Sequence, residues 1–270
     1  MTFRPISRLS LVERDTAARL LGANPMLALY WATGIEDLAQ GIDNRLVHFA
    51  RNGHLAGGGH PGDGAGIILG ATFGDLTVFS FCGHLDDADI AHCAAQPGAV
   101  ELHVPEVEAV RYTALAAQRL KQSRDMVLMA SPTRLLDETL AGCRDLQAAH
   151  VRDVAAFYRE HYPETVFDDY MLSMPFVGAF ADDRLVACAG TIALAPDLRA
   201  ALIGHFSTAP ECRGQGHAGR LGRLLLDRLA QRGFETAHLA TTVENAAAIR
   251  TYEKLGFAIT ERLVQLDLMP

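Results

Sequence analysis

The residues best suited to chemistry lie in the C-terminal half, in the run Phe206-Ser207-Thr208-Ala209-Pro210-Glu211-Cys212-Arg213-Gly214-Gln215-Gly216-His217-Ala218-Gly219. A strand-like stretch leads here into a turn with glycines at alternate positions, and an apolar-periodic stretch comes after it. Glycine has no Cβ and tolerates positive φ, so such a backbone can wrap closely around a ligand. The first amides of a helix that starts there lack intrahelical partners and point outward with the positive end of its dipole. Together these features suit a pyrophosphate. An ordinary glycine-rich turn between strand and helix is the alternative. The run is not a Walker loop, since it contains no Gly-Lys-Ser/Thr, nor a GxGxxG dinucleotide fingerprint.

A second segment, Asn245-Ala246-Ala247-Ala248-Ile249-Arg250-Thr251-Tyr252-Glu253-Lys254-Leu255-Gly256-Phe257, reads as a capped helix. Asn245 suits the N-cap, Gly256 the stop, and the alanines between them favour helix. Asn245, Ala248 and Tyr252 fall on one face, with the tyrosine two turns beyond the cap. Taken alone, the segment reads as a capped helix with Tyr252 packed in the core.

The elements that must position these segments can be read along the chain. Helices are expected at Val12–Leu21 and Pro25–Leu38, strands at 45–50, 67–73 and 76–81, and a glycine-dense loop at Gly57–Gly64. A helix from about Asp86 to Ala95, a strand Val100–Val104, a helix from about Glu106 to Leu120 and a strand Met126–Ala130 complete the first half. Thr133–Arg144 reads as a linker or short helix. The second half restarts near Leu146 with an amphipathic helix through Val151, Val154, Ala155 and Tyr158, limited by Pro163. Next come a short helix near Phe167–Ser173, a hairpin of 176–180 and 185–194 turning at Asp182-Asp183, and a long strand, Ala200–Thr208. A helix His217–Arg232, a strand Thr236–Thr242, the Asn245–Leu255 helix and a strand Phe257–Leu268 end the chain. Both halves close on strand, helix, strand, helix, strand, an order that suggests a duplicated fold.

In combination and order, the two segments resemble the GNAT superfamily of acyl-CoA-dependent N-acetyltransferases. Its signature is Arg/Gln-x-x-Gly-x-Gly/Ala after a long strand, followed by an Asn…Tyr-Glu-x-Leu-Gly-Phe helix. Arg213-x-x-Gly216-x-Ala218 fits the first part and Asn245–Phe257 the second. The resemblance covers about Leu146 to Met269. It implies an α/β (α+β) fold with a mixed, mostly antiparallel, splayed sheet flanked by helices, here in tandem. A degenerate GNAT-like domain at 1–131 and a linker at 132–145 would precede the transferase domain at 146–270.

By the same resemblance, the sheet splays between the Ala200–Thr208 and Thr236–Thr242 strands. The pantetheine arm of acetyl-CoA, the acyl-donor cosubstrate, would enter there and bond the backbone of Phe206, Ser207 and Thr208. The pyrophosphate would rest on Arg213, Gly214, Gln215, Gly216, His217, Ala218 and Gly219, with Asn245 and Ala248 along the arm and Tyr252 facing the sulfur. The implied reaction is direct attack of a deprotonated amine on the thioester, with Tyr252 protonating the leaving thiolate.

The pattern departs from the family at Ala240, where many members carry a carboxylate that takes the amine proton. His205, whose intrinsic pKa of about 6.5 would suit a base, Glu244 or an ordered water chain are the substitutes; His205 could equally be a structural histidine on the sheet. Cys212 has no histidine–carboxylate arrangement nearby and reads as a space filler, not a nucleophile. His54, His60, His84, His92 and His103 with Cys82 and Cys93 match no common zinc spacing, so no metal is expected.

If the first half is a second copy, Cys82-Gly83-His84-Leu85-Asp86-Asp87-Ala88-Asp89 occupies the place of the phosphate loop. Its single glycine and three aspartates would repel a pyrophosphate, which suggests a domain that shapes the acceptor site or serves as scaffold. The formal net charge of −8 argues against nucleic-acid or membrane partners. No signal peptide or membrane span is evident, and five cysteines without a CxxC pair fit reduced thiols in the cytoplasm. The expected acceptor is a primary amine of a small molecule or peptide, and the expected assembly a monomer or homodimer. An acyl-CoA sensor without turnover is the competing reading. A paired transferase drawing on aminoacyl-tRNA is disfavoured by the glycine loop and the acidic charge.

Overall fold

The computed structural model describes residues 3–270 apart from 23, 40, 44, 50–65, 138, 164 and 166. The glycine-dense loop at 57–64 and the histidines His54 and His60 lie outside the described residues. The chain forms two compact units, residues 1–127 with 242–244 and 261–270, and residues 128–241 with 245–260.

The first unit contains β1 (Arg4–Pro5), α1 (Leu11–Leu21), α2 (Pro25–Ala39), β2 (Arg45–Phe49), β3 (Gly66–Phe73), β4 (Leu76–Gly83), α3 (Asp87–Ala94), β5 (Ala99–Pro105) and α4 (Ala109–Ala116). Most of β6 (Leu120–Pro132) and of β12 (Ala258–Leu268) also belongs to it. The strand order is β1-β2-β3-β4-β5-β12-β6. Helix α1 starts on a capping box: the Ser10 hydroxyl accepts from the Glu13 amide while the Glu13 carboxylate accepts from the Ser10 amide. One core layer joins Phe79, Phe81, Ile90, Leu102, Tyr112 and Leu266; another joins Ile6, Leu21, Trp31, Val47 and Ile67.

The second unit contains β7 (Cys143–Asp145), α5 (Val151–His161), β8 (Phe176–Ala181), β9 (Arg184–Ala195), β10 (Ala200–Thr208), α6 (His217–Gln231), β11 (Thr236–Thr242) and α7 (Ala246–Lys254). Its strand order is β11-β10-β9-β8-β7. Asp182 and Asp183 both take positive φ, 47° and 58°, as a tight hairpin turn between β8 and β9 requires. Leu221, Leu225 and Leu229 bury the inner face of α6, at about 1.5–3 kcal/mol each. A Cβ on Gly222 would collide with the Leu255 side chain, so this glycine permits the close packing of α6 on α7.

Three features differ from the sequence-based expectations. The helix expected from about Glu106 to Leu120 is a 3-10 turn followed by α4, which ends at Ala116. Arg119 then donates to the carbonyls of Ala94, Gln96, Gly98 and Met269, which fixes a turn and lets β6 begin at Leu120 rather than Met126. The expected linker at 132–145 contains β7, which pairs antiparallel with β8. The strands also do not group as the sequential domains 1–131 and 146–270: Leu263–Leu268 of β12 pairs antiparallel with Val100–Pro105 of β5, so the chain's last strand completes the first unit. Backbone hydrogen bonds between strands distant in sequence decide that grouping, and no local pattern encodes them.

Candidate active site

Strands β10 and β11 run parallel but pair only through Ala200–Leu202 against Thr236–His238. Beyond that point β10 continues to Thr208 without this partner, the expected splay. Its other edge pairs with β9, with Ser207 opposite Cys188 and Thr208 opposite Ala187. The Ala209 amide donates to the Val186 carbonyl at 2.8 Å. Antiparallel pairs alternate between bonded and non-bonded, so the main chain of Ser207 turns toward β9 and that of Thr208 turns away. Of the three residues assigned to a pantetheine arm, Ser207 therefore spends its main-chain groups on the sheet.

A bulge interrupts the register between Gly204 and Ser207, and His205 sits in it at φ 57°. The His205 ring packs against Tyr158 and Phe176, at centroid distances of 5.9 and 5.7 Å. Burial pulls its pKa from 6.5 down to about 4, which makes it a weaker base than its intrinsic value suggested. Beneath it the Tyr158 hydroxyl donates to the His205 carbonyl at 3.3 Å, and the Cys188 thiol donates to the Tyr158 oxygen at 3.1 Å.

The next residue, Phe206, meets the opposite side of the site: its ring makes an edge contact with Tyr252 at 5.2 Å. Tyr252 is buried, and burial raises its pKa from 10.0 to about 12. The Asn245 side chain caps α7, accepting from the Ala248 amide at 3.3 Å, and its amide nitrogen donates to Thr241 at 3.4 Å. Asn245 itself is exposed, as are Ala240 and Glu244.

The glycine turn leaves its backbone open to solvent. Gly214 and Gly216 take φ 76° and 77°, and a Cβ at either would point into open space. The first helical hydrogen bond of α6 runs from the Arg220 amide to the Gly216 carbonyl at 3.1 Å, so the amides of His217, Ala218 and Gly219 precede it. Gly214, Gln215 and Gly216 are exposed, and Arg213 stands beside them. His217 is buried with its Nδ1 accepting from Arg220 at 2.9 Å; burial first, and Arg220 second, lower its pKa.

Sequence reasoning missed Tyr162. Its hydroxyl donates to the Thr208 carbonyl at 2.5 Å and accepts from the Thr208 amide at 3.2 Å and from Arg213 at 3.1 Å. Pro163 signalled where α5 stops, but nothing local signalled where the preceding side chain would reach. Also unforeseen is Asp227, buried on α6, which accepts from the Leu136 amide at 2.9 Å and from Gln231 at 2.8 Å.

The profile of the acetyltransferase (GNAT) family matches residues 143–257. The curated N-alpha-acetyltransferase 30 of Schizosaccharomyces pombe is 32% identical over 125 residues, 46% of this chain and 78% of that protein. The chain belongs to the GNAT acetyltransferase family. Membership makes it an N-acetyltransferase, with acyl transfer as its reaction. A second GNAT relative, the mycothiol acetyltransferase of Tsukamurella paurometabola, is 40% identical over 88 residues, 31% of this chain and 29% of that protein. Among solved structures, a Drosophila protein shares the fold with a TM-score of 0.71 at 14% identity, covering 99% of this chain and 98% of its own. A GCN5-related N-acetyltransferase-like protein from Streptococcus suis does so with a TM-score of 0.63 at 12% identity, covering 94% of this chain and 98% of its own.

The first unit also contains a parallel strand pair that parts after a few residues. Strands β4 and β5 are parallel and pair only through Leu76–Ser80 against Ala99–His103. Where they part lies a cavity of about 180 Å³ lined by Phe81, Cys82, His84, Glu108, Arg111 and Tyr112, among others. The next helix, α3, begins with Asp86 as N-cap, accepting from the Asp89 amide at 2.9 Å. Arg111 is committed to Asp87 at 2.7 Å, Glu108 at 3.2 Å and the Leu85 carbonyl at 2.8 Å. No group of three or more His, Cys, Asp or Glu could hold a metal among the described residues, and no helix among them is long and apolar enough to cross a membrane.

Proposed function

We propose that this chain transfers an acetyl group from acetyl-CoA to a primary amine of a small molecule or peptide. The observation that carries the reading is the conjunction at the end of β10. Thr208 turns its main chain away from the sheet, Phe206 abuts Tyr252, and the exposed Gly214–Gly219 turn opens α6, all within one unit. The turn fits a diphosphate because its positive-φ glycines leave the backbone bare and its first helical amides have no helical acceptor.

In this reading the amine attacks the thioester carbon directly, and the carbon–sulfur bond breaks as the carbon–nitrogen bond forms. Tyr252 stays neutral at physiological pH because burial holds its pKa near 12, so it has a hydrogen to give to the departing sulfur. The amine's proton leaves toward solvent through water, with exposed Glu244 or half-buried His205 as the side-chain alternatives. His205 serves this role less well, since a histidine of pKa about 4 holds a proton weakly at neutral pH. The relatives' names point to N-alpha-acetylation in one and to mycothiol in the other, which supports a peptide or small-molecule acceptor. We infer further that the first unit is a degenerate GNAT-like domain, since its aspartate-capped α3 stands where the glycine turn stands in the second.

A second reading, an acyl-CoA sensor without turnover, is favoured by one observation: the family's base position is an exposed alanine, Ala240. Thermal unfolding with acetyl-CoA at about 100 times its dissociation constant should stabilise the protein by about 2.7 kcal/mol, a shift of roughly 2–4 °C. A shift that persists in Gly216→Asp, or none in the unaltered protein, would sink the donor site. Binding without acetyl transfer to any amine panel would leave the sensor.

A further inference from the structure

Tyr162 lies against the very groups that a pantetheine arm would use, and its role is open. Its hydroxyl engages both the amide and the carbonyl of Thr208, the main-chain pair that the β9 register turns away from the sheet. A phenol offers one donor and one acceptor, the same complement as an amide group. A strand edge with a free N–H and C=O is what an extended, amide-bearing chain pairs with. The Thr208 amide has a single hydrogen to give, so it cannot serve the phenol and a ligand amide together. The carbonyl's second lone pair already faces Arg213 Nε at 3.4 Å.

We propose that Tyr162 competes with the donor's pantetheine amide for Thr208, so that donor binding requires the phenol to swing away and frees Arg213 for the donor's phosphates. This rests on the acetyl-CoA reading above. The local build suits such a motion. Tyr162 ends α5 at φ −148°, its amide bonded to the Tyr158 carbonyl at 2.8 Å and its carbonyl to the Thr165 amide at 2.9 Å. Pro163 stops the helix from continuing. The backbone is thus pinned, and a side-chain rotation alone removes the hydroxyl from the strand edge. The same hydroxyl accepts from Arg213 Nη2, whose guanidinium lies 5.9 Å from the tyrosine ring. Tyr162 therefore holds the strand edge and the turn's arginine together, and both are released in one movement.

The test is calorimetric titration of the unaltered protein and Tyr162→Phe with coenzyme A, and with 3′-phosphoadenosine diphosphate, which lacks the pantetheine arm. The variant keeps the ring and loses the competing hydroxyl. Coenzyme A should bind the variant about three- to tenfold more tightly, as expected for removing one or two competing hydrogen bonds. The affinity for the arm-less ligand should change less than about twofold. Equal or weaker coenzyme A binding overturns the competition while leaving the donor site in place. Tightening for both ligands overturns it too, because the effect would then run through the phosphate turn. Failure of both proteins to bind coenzyme A overturns the donor reading and the competition with it. Binding by the variant alone supports both. If the variant does not fold, nitration of the unaltered protein by tetranitromethane, mapped to Tyr162, replaces it. Acetyl-CoA should increase modification at Tyr162, and unchanged or reduced modification would refute the proposal.

Discussion

The cleft at the end of β10 and the cleft at the end of β4 are bounded by the same local elements. In each, a strand paired antiparallel with its predecessor runs parallel to the strand after the crossover helix, and the parallel pairing stops after a few residues. The turns that leave the two strands differ. After β10 come Gly214 and Gly216 at positive φ with Arg213 beside them. After β4 come Asp86, Asp87 and Asp89, the first of which caps α3 with its own side chain. A carboxylate at the N-cap satisfies the helix amides internally, whereas a glycine leaves them for a ligand. Similar strand pairing therefore sets where the strands part, and a handful of turn residues decide whether the following helix amides are capped by a side chain.

Four outcomes would overturn or refine this contrast. The largest effect is expected from Gly216→Asp, which places a carboxylate and a strained φ in the turn; coenzyme A affinity measured by calorimetry should fall at least about 300-fold. Retained affinity would mean that the turn is not the phosphate site. Tyr252→Phe should lower kcat about 100-fold with coenzyme A affinity within about threefold, and steady-state kinetics beside titration separate the two. Because its phenol titrates near 12, the unaltered enzyme should show no alkaline loss of kcat from Tyr252 below about pH 11. An equal loss of binding and turnover would make Tyr252 a packing residue.

The third concerns His205, whose pKa in the folded chain is about 4 against 6.5 in the unfolded one. As pH falls below 6.5 the unfolded chain takes up the proton first, so stability declines between pH 6.5 and 4, by up to about 3 kcal/mol. His205→Asn, which tolerates the left-handed backbone, should flatten the denaturation midpoint across that window. An unchanged slope would show that another group carries it. The smallest effect is expected from Asp86→Ala, which should cost about 1 kcal/mol of stability through the lost cap. It should leave coenzyme A affinity within about twofold; a larger change would show that the first unit's helix start takes part in donor binding.

Much of the second unit was legible in the sequence because its signals are local. The alternate glycines, the Asn245 cap and the Asp182-Asp183 turn each act within a few residues, and each stands where the spacing placed it. The boundaries of α4 and β6 were not legible, because Arg119 fixes them through carbonyls at Ala94, Gln96, Gly98 and Met269. The polar run Lys121-Gln122-Ser123-Arg124-Asp125 has no strand-like alternation of apolar residues, yet it pairs as a strand. At the site, that the main chain of Ser207 faces β9 was not legible, because a register cannot be taken from one strand alone. The lowered pKa of His205 was not legible either, because its surroundings include Tyr158 and Phe176, both distant in sequence.

Local sequence was enough to establish the family, the glycine turn that opens α6 and the helix that carries Tyr252, since these rest on caps, glycine backbone freedom and short-range periodicity. Tertiary structure was needed to decide which edge of β10 faces away from β9, that Tyr162 bonds there, that burial lowers the pKa of His205, and that the last strand completes the first unit. Each of those depends on hydrogen bonds or packing between residues far apart in the chain, and such contacts exist only once the chain has folded.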